Sequence, residues 1–177
     1  MKRRGLFVLR AQPLHRGHME SISRILADVD ELIVGVGSAQ MNYTLDNPFT
    51  VGERVEMIRL ALREAGIDPG RVFVVPIPDI HSHLAWVSHV VSYVPRFDVV
   101  YTNNPTVALP FRDAGYEVRV LPLVKREVYS STNVRRRMVK GERWEDLVPP
   151  SVAAFIRRIR GEERVRDIAR GLLGQRA

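Results

Sequence analysis

The 177-residue sequence contains no cysteine, which excludes disulfide bonds, cysteine-ligated zinc, iron–sulfur clusters and thiol catalysis. It also lacks an apolar run of the roughly 18 residues that a membrane span needs. The basic residues 2–4 precede an apolar stretch that Arg10 soon interrupts, which is not typical of a secretory signal. We therefore expect a cytoplasmic protein with no membrane partner. Hydrophobic residues make up 45% and charged residues 27%, as in a folded globular chain.

The net charge of +7 is concentrated near the C-terminus. Residues 133–177 hold 12 basic and six acidic side chains, whereas residues 1–132 hold 15 basic and 14 acidic side chains. A basic region of this kind leaves a nucleic-acid-binding protein as one alternative function. However, Glu162, Glu163 and Asp167 alternate with the arginines, which is typical of a solvated or intersubunit helix. We therefore expect no nucleic-acid partner.

Short apolar runs alternate with longer amphipathic segments. The predicted strands are 5–9, 31–36, 72–76, 97–101 and 116–121, and the predicted helices are 18–27, 51–65, 87–94, 107–114, 132–140, 151–160 and 162–173. Thr50 and Glu53 predict a capping box, and Gly141 and Gly161 predict helix ends. The pattern indicates an α/β, Rossmann-like parallel sheet with helices on both faces and a helical C-terminal cap.

This organisation predicts a single domain over residues 1–177, with an α/β core in 1–130 and C-terminal helices in 131–177. The ligand is expected at the carboxyl ends of the strands, near a topological switch point.

The first candidate segment, Arg10-Ala-Gln-Pro-Leu-His15-Arg-Gly17-His18, follows the first predicted strand. Two histidines three residues apart at the start of a helix lie where backbone N–H groups and the helix dipole favour anions. Gly17 leaves the backbone open to close approach, and Arg10 and Arg16 add positive charge. Two alternatives remain: polar loop residues without a ligand, or a metal site with Glu20 as third ligand.

The second candidate segment is Ser130-Ser131-Thr132-Asn133-Val134-Arg135-Arg136-Arg137. Hydroxyl residues before a helical run are typical helix N-caps. The helix dipole disfavours each arginine in the first turns by a few tenths to about 1 kcal/mol, so an anion is expected at this helix end. Polyphosphate suits the arginine fork. Successive residues differ by about 100°, so Arg135 is expected to face the ligand and Arg136 and Arg137 to cover surface or contact another subunit.

Together, Arg10-x-Gln12-Pro13-x-His15-x-Gly17-His18 and Ser130-Ser131-Thr132-x-x-Arg135 resemble the HxGH and SxTxxR signatures of the nucleotidyltransferase α/β-phosphodiesterase superfamily. The intervening blocks are similar in order and spacing to archaeal-type nicotinamide-mononucleotide adenylyltransferases; they are 37–40, 47–54, 79–80, 86–87 and 104–105. The resemblance covers roughly residues 5 to 160.

The resemblance implies transfer of AMP from ATP to the 5′-phosphate of nicotinamide mononucleotide, giving NAD and pyrophosphate. It implies Mg²⁺ carried on the ATP phosphates, with no protein metal site and no organic prosthetic group. It also implies a homo-oligomer, since the family is often hexameric. Sibling transferases that use pantetheine phosphate, flavin mononucleotide or choline phosphate share both signatures, and they remain an alternative.

The resemblance also implies roles for the matched residues. The catalytic set is His18 and His15 on the α- and β-phosphates, with Arg10 and Arg135 at the β/γ end. His18 is expected to donate a hydrogen bond rather than a proton, because pyrophosphate leaves without protonation. The implied ATP-binding residues are Gln12, Gly17, Asn104, Ser130, Ser131 and Thr132.

For the mononucleotide, the resemblance implies Trp86 stacked on the pyridinium ring and Asp79 on a ribose hydroxyl or the carboxamide. Each residue also has a structural alternative. Without the resemblance, Trp86 is typical of a core residue at the start of a helix, and Asp79 is typical of a turn residue after Pro78. Asn104 either binds the ATP ribose or forms the turn into the next helix.

Three positions depart from the family: Leu9 replaces a usual glycine, Ala11 replaces a bulky residue, and Asp46 stands where some relatives have arginine. Because an acid cannot contact phosphate favourably, we do not expect the Asp46 loop to bind ligand. His81, His83 and His89 leave a metal site as an alternative, although their spacing matches no standard pattern. A dehydrogenase and a P-loop NTPase are excluded, since the sequence lacks both G-x-G-x-x-G and G-K-[ST].

Overall fold

A computed structural model describes residues 2–80, 82, 85–122, 125 and 127–171. Its strands are β1 (Arg4–Leu9), β2 (Glu31–Val36), β3 (Val72–Pro76), β4 (Val99–Thr102) and β5 (Glu117–Val120). Its helices are α1 (Arg16–Leu26), α2 (Val51–Glu64), α3 (Trp86–Tyr93), α4 (Pro105–Asp113), α5 (Ser131–Lys140), α6 (Pro150–Arg158) and α7 (Gly161–Ala169). The strands pair in parallel in the order β3-β2-β1-β4-β5. The predicted parallel α/β fold is confirmed.

Helices cover both faces of the sheet, which explains why β1, β2 and β4 are largely apolar along their length. Alternate residues of one strand enter two different cores: Leu6 belongs to one buried cluster and Phe7 to the other. The Phe7 cluster includes side chains of α1, α2 and all three C-terminal helices. The Leu6 cluster includes side chains of α3 and α4. Full burial of each large aliphatic side chain contributes about 1.5–3 kcal/mol, so both cores stabilise the sheet.

Most helix ends follow local sequence signals. Thr50 caps α2: its side chain accepts from the Glu53 N–H, and the Glu53 carboxylate accepts from the Thr50 N–H at 2.9 Å, as the predicted capping box requires. Gly141 ends α5 with a left-handed φ of 70°, also as predicted.

Gly161 does not end a helix, and that prediction is wrong. Arg160 takes the left-handed conformation (φ 54°) instead, and Gly161 is the first residue of α7. A Cβ atom at Gly161 would lie only 2.7 Å from Cε1 of Phe49 and 3.0 Å from Cγ2 of Ile156. Glycine is therefore needed for close packing of the chain against Phe49.

The strand order places a switch point between β1 and β4. From β1 the chain proceeds to β2 and β3 on one side, and β4 then pairs with the other side of β1. The connections that leave β1 and β4 therefore diverge, which opens a crevice at the carboxyl ends of these strands. None of the described helices is long and apolar enough to cross a membrane.

Candidate active site

A cavity of about 560 Å³ lies at the carboxyl ends of β1 and β4. Ten of the twelve predicted site residues line it; they are Arg10, His15, Gly17, His18, Asp79, Trp86, Asn104, Ser130, Ser131 and Thr132. Gln12 and Arg135 are not among the described residues that line it. The fold thus brings together segments more than 100 residues apart at the place where a sheet of this topology binds ligands.

His15 and His18 cap the start of α1 for each other. Nδ1 of His15 accepts from the His18 backbone N–H at 3.3 Å, and Nδ1 of His18 accepts from the His15 N–H at 3.3 Å. The two rings stack with their centroids 3.5 Å apart. Because both Nδ1 atoms accept, the hydrogen of each neutral ring lies on Nε2. The geometry therefore requires the same tautomer in both histidines.

The surroundings of the pair favour the neutral rings. Burial lowers the pKa of His15 to about 4. Burial and the neighbouring His15 lower the pKa of His18 well below its ordinary value. No described residue accepts a hydrogen bond from either Nε2–H. At neutral pH the cavity wall thus includes two uncharged imidazole rings, each with its N–H donor at Nε2.

Gly17 is the second residue of α1 rather than part of a turn. A Cβ atom there would lie 3.1 Å from Nδ1 of His15 and 3.1 Å from Cβ of Tyr129. The glycine therefore allows the His15 ring and Tyr129 to pack closely beside the cavity. Arg16, which the sequence predicts to add positive charge near the ligand, is not among the described residues that line the cavity. Its Nε donates to the Asp146 carbonyl at 2.8 Å.

The N-terminus of α5 meets the first signature at the cavity. Ser130 is its N-cap and accepts from the Asn133 N–H at 3.2 Å. Ser131 Oγ donates to the Pro13 carbonyl at 3.0 Å, which joins the two signature segments. Thr132 is exposed in the first turn. Since the first N–H groups of a helix lack partners within it, this end of α5 offers donors to an anion.

The three arginines of α5 point in different directions, as helix geometry requires. Arg136 is exposed and donates to Asn133 Oδ1 at 2.8 Å, whereas Arg137 donates to the Arg143 carbonyl at 2.7 Å. Neither lines the described part of the cavity. Arg135 alone is buried on the side of the first signature.

Arg135 and Gln12 join loops instead of lining the cavity. Gln12 is 1% exposed, and its amide pairs with the Phe49 carbonyl at 2.9 Å and the Phe49 N–H at 3.0 Å. Arg135 Nη1 donates to the Gln12 carbonyl at 2.9 Å, and Nη2 contacts Asp46 Oδ1 at 3.0 Å. Burial lowers the pKa of Arg135, and Asp46 opposes that shift. The pairing with Asp46 is absent from the sequence prediction, because no local signal relates residues 89 positions apart.

Asp79 is held from two sides beyond the end of β3. The Ser38 N–H donates to its Oδ1 at 3.1 Å. The Gln40 side chain accepts from the Asp79 N–H at 3.0 Å and donates to the Asp79 carbonyl at 3.3 Å. Trp86 begins α3, packs against the Leu6 core and lines the cavity, so its core role and its exposure to a ligand are compatible.

Asn104 serves the turn into α4. Its Oδ1 accepts from the Thr106 N–H at 3.1 Å and the Thr106 hydroxyl at 2.8 Å. Its Nδ2 makes no hydrogen bond with the described residues. The cavity also includes polar residues that the sequence did not single out: Ser21, Ser38, Thr102, Asn103 and Tyr129. Thr102 ends β4 and Asn103 directly follows it, so their position at a strand end was the available signal.

The alternative metal sites gain no support from the contacts of their proposed ligands. Glu20 pairs with Arg24 at 2.8 Å, and a ring nitrogen of His89 contacts the Pro78 carbonyl at 2.7 Å. His81 and His83 lie outside the described residues. Within the described ranges, no three His, Asp or Glu side chains are grouped to hold a metal ion.

Known proteins are similar to this chain over most of its length. Residues 6–137 match the cytidylyltransferase-like family. The chain is 52% identical over 172 residues to a nicotinamide-nucleotide adenylyltransferase of Thermococcus kodakarensis, covering 97% of this chain and 92% of the relative. It is 55% identical over 170 residues to that of Pyrobaculum neutrophilum, covering 96% of each.

Solved structures share the fold. A bifunctional NMN adenylyltransferase/ADP ribose pyrophosphatase from Francisella tularensis, complexed with AMP and a manganese ion, superposes with a TM-score of 0.79 at 20% identity. The match covers 95% of this chain and 52% of that one. With its two signatures meeting at one cavity and relatives more than half identical, the chain belongs to the nicotinamide-nucleotide adenylyltransferases of the cytidylyltransferase-like family.

Proposed function

We propose that this cavity transfers AMP from ATP to the 5′-phosphate of nicotinamide mononucleotide, which forms NAD and pyrophosphate. The observation that carries the proposal is the stacked pair of neutral histidines, which lines a cavity that also receives the N-terminus of α5. Donors of this kind suit a polyphosphate, because they stabilise negative charge without transferring a proton.

The reaction needs positioning more than acid–base chemistry. An oxygen of the mononucleotide phosphate attacks the α-phosphorus of ATP in line, and a new P–O bond forms. The bond from the α-phosphorus to the bridging oxygen breaks, and its electron pair leaves with pyrophosphate. No covalent enzyme intermediate and no protonation of the leaving group are required. The protein therefore contributes alignment of the two substrates and neutralisation of developing charge.

The triphosphate half is formed by the two signatures. His18 and His15 donate from Nε2 to the α- and β-phosphates, and Ser130, Ser131 and Thr132 add the hydroxyl and backbone donors of α5. Arg10 is exposed at the cavity and supplies a positive charge. Arg135 reaches the outer phosphates only if Asp46 releases its Nη2. Gln12 contributes indirectly, by fixing the loop that carries Phe49.

Mg²⁺ enters this scheme as part of the substrate, bound to ATP. Among the described residues that line the cavity, Asp79 is the one carboxylate. Mg²⁺ commonly keeps several waters and binds phosphate oxygens, so ATP itself provides most of its ligands.

The mononucleotide half lies at Trp86 and Asp79. Stacking of the Trp86 ring on the cationic pyridinium contributes about 0.5–2 kcal/mol. Asp79 uses Oδ1 on the Ser38 N–H, which leaves Oδ2 for a ribose hydroxyl or the carboxamide. Nδ2 of Asn104, which pairs with none of the described residues, is available to the ATP ribose. The hexameric assembly, the single-domain organisation and the cytoplasmic location stay predictions.

A substrate panel tests the proposed function. Purified protein with ATP and Mg²⁺ is expected to release pyrophosphate with nicotinamide mononucleotide, and the panel adds the nicotinic acid analogue, pantetheine phosphate and flavin mononucleotide. Turnover with neither pyridine mononucleotide would refute the proposal, and turnover with another acceptor would identify a sibling transferase.

Replacing His18 tests the role of the pair. His18→Ala is expected to lower kcat at least about a hundredfold, which corresponds to about 2.7 kcal/mol of transition-state stabilisation. Arg16→Ala is a matched control, since this neighbour donates away from the cavity to the Asp146 carbonyl. Equal losses in both variants would assign the effect to the start of α1 rather than to the imidazole.

A further inference from the structure

Arg54 on α2 is fully buried, and every hydrogen bond it donates goes to a backbone carbonyl. Nη1 donates to the carbonyls of Arg10 at 3.0 Å and Gly37 at 2.8 Å, and Nη2 donates to that of Ser38 at 3.0 Å. Longer contacts reach the carbonyls of Thr50 at 3.4 Å and Ala39 at 3.5 Å. No carboxylate of the described chain forms an ion pair with it. One guanidinium therefore joins the turns that follow β1 and β2.

These two turns are strained at corresponding positions. Ala11 and Ser38 follow the Arg10 and Gly37 carbonyls and have left-handed φ angles of 51° and 52°. A residue other than glycine in this conformation costs about 1–3 kcal/mol unless its surroundings impose it. Both residues line the cavity. Arg54 holds the carbonyl before each of them, so it stabilises both strained turns at once.

Each turn carries a different part of the site. The first turn carries Arg10, whose side chain is exposed at the cavity. In the second turn the Ser38 N–H holds the Asp79 carboxylate, and the Ala39 N–H donates to the Ile77 carbonyl at 3.1 Å. The distance between Arg10 and Asp79 thus depends on the two turns that Arg54 connects.

The burial of Arg54 is energetically costly, which argues for a specific role. Burial lowers its pKa to about 10; Asp79 opposes this shift and Arg10 adds to it. The group therefore stays charged at neutral pH. A buried cation is often less stabilising than an apolar side chain of similar volume. The planar fork of arginine reaches several carbonyls in fixed directions, which the single ammonium of lysine cannot reproduce.

We propose that Arg54 is a positioning residue that sets the Arg10 turn and Asp79 relative to each other, and so aligns the two substrates. The inference rests on the proposed function, in which Arg10 faces ATP and Asp79 faces the mononucleotide. Loss of the Arg54 guanidinium is expected to lower kcat more than it weakens the binding of either substrate alone. Alignment of the two substrates matters only when both are bound.

The test compares Arg54→Lys with Arg59→Lys, a matched change at an exposed position of the same helix. Arg54→Lys is expected to lower kcat at least about tenfold, since small displacements of reacting groups have effects of this size or more. The Kd of ATP alone, measured by calorimetry, is expected to change less than about threefold, and Arg59→Lys is expected to match the unmodified protein. An unchanged kcat in Arg54→Lys, or a loss confined to the KM values, would overturn the proposal.

Gln40→Leu changes the second turn alone and lies at an exposed position that does not endanger folding. It removes the paired hydrogen bonds to the Asp79 backbone, so it is expected to raise KM for the mononucleotide and leave KM for ATP unchanged. Equal increases in both KM values would contradict the proposal that the second turn positions the mononucleotide and the first turn positions ATP.

Hydrogen exchange tests the same proposal without the reaction. In Arg54→Lys the amides of Ser38 and Ala39 are expected to exchange faster, while that of Val34 within β2 is expected to stay protected. Unchanged exchange at residues 38 and 39 would overturn the proposal. Absence of turnover in the unmodified protein, in contrast, would contradict only the proposed function.

Discussion

Acid is expected to destabilise this protein through His15. The ring is 7% exposed, its Nδ1 accepts from the His18 N–H, and burial lowers its pKa from 6.5 to about 4. Between these pH values the unfolded chain binds a proton that the folded chain does not. The contribution to stability is therefore fully present above pH 6.5 and is lost as the pH falls towards 4.

The size of the effect follows from the shift in pKa. A difference of one pKa unit corresponds to 1.36 kcal/mol, so the shift of His15 corresponds to a loss of about 3 kcal/mol in the free energy of unfolding. Asparagine at this position does not titrate, and its side-chain oxygen is a good N-cap acceptor. His15→Asn therefore removes the titration and retains the cap of α1.

Urea unfolding of both proteins between about pH 7.5 and pH 4 measures this difference. The acid-induced loss in unfolding free energy is expected to be smaller in His15→Asn by about 2–3 kcal/mol. Carboxylates titrate in both proteins, so their contributions cancel in the comparison. His15→Asn also removes the neighbouring ring that helps to lower the pKa of His18, and this change acts in the same direction as the loss of the His15 titration. Parallel pH profiles, within about 0.5 kcal/mol, would refute the assignment of a buried neutral ring at His15.

Three further predictions concern other parts of the molecule. Trp86→Ala is expected to raise KM for the mononucleotide about two- to thirtyfold while KM for ATP stays nearly constant, because the cation–π contact involves the pyridinium alone; equal increases in steady-state kinetics would indicate a core role. Asp46→Asn removes the anion paired with Arg135 and is expected to lower KM for ATP about two- to fivefold at low salt, the range for an ion pair whose carboxylate is largely exposed; a higher KM for ATP would show that Asp46 orients the guanidinium productively. Gly161→Ala places a Cβ 2.7 Å from a ring carbon of Phe49 and is expected to lower the free energy of unfolding by about 1–3 kcal/mol with unchanged KM values. An unchanged urea midpoint would show that the Phe49 ring moves aside at no cost.

The elements of the fold are predictable where the signal is local. The bounds of β2 and β3 match the sequence prediction because continuous apolar runs end at polar or turn residues. The start of α1 differs by two residues, since a histidine ring replaces the usual hydroxyl or carboxamide cap at His15. Gly161 was misassigned as a helix end because a glycine needed for packing and one needed for a left-handed turn look alike in sequence.

The candidate site was predictable to the extent that its residues occur in short motifs. The two signatures predict that His15, His18 and the start of α5 lie together, and these residues line one cavity. The same motifs also included Gln12 and Arg135, whose side chains instead bind backbone and Asp46. A motif indicates which residues act together, but it does not distinguish a residue that contacts the ligand from one that holds a neighbouring loop in place.

By itself, the sequence determined the alternation of strands and helices and the two signatures, because each depends on residues close together along the chain. The resemblance that the two signatures carry implied the class of chemistry. Only the tertiary structure decided that Arg54 joins two strained turns and that Asp46 pairs with Arg135. These contacts join residues 17 to 89 positions apart, and they form only when the parallel sheet brings the carboxyl ends of its strands to one edge. The cost of burying Arg54 is likewise set by its surroundings rather than by its neighbours in sequence.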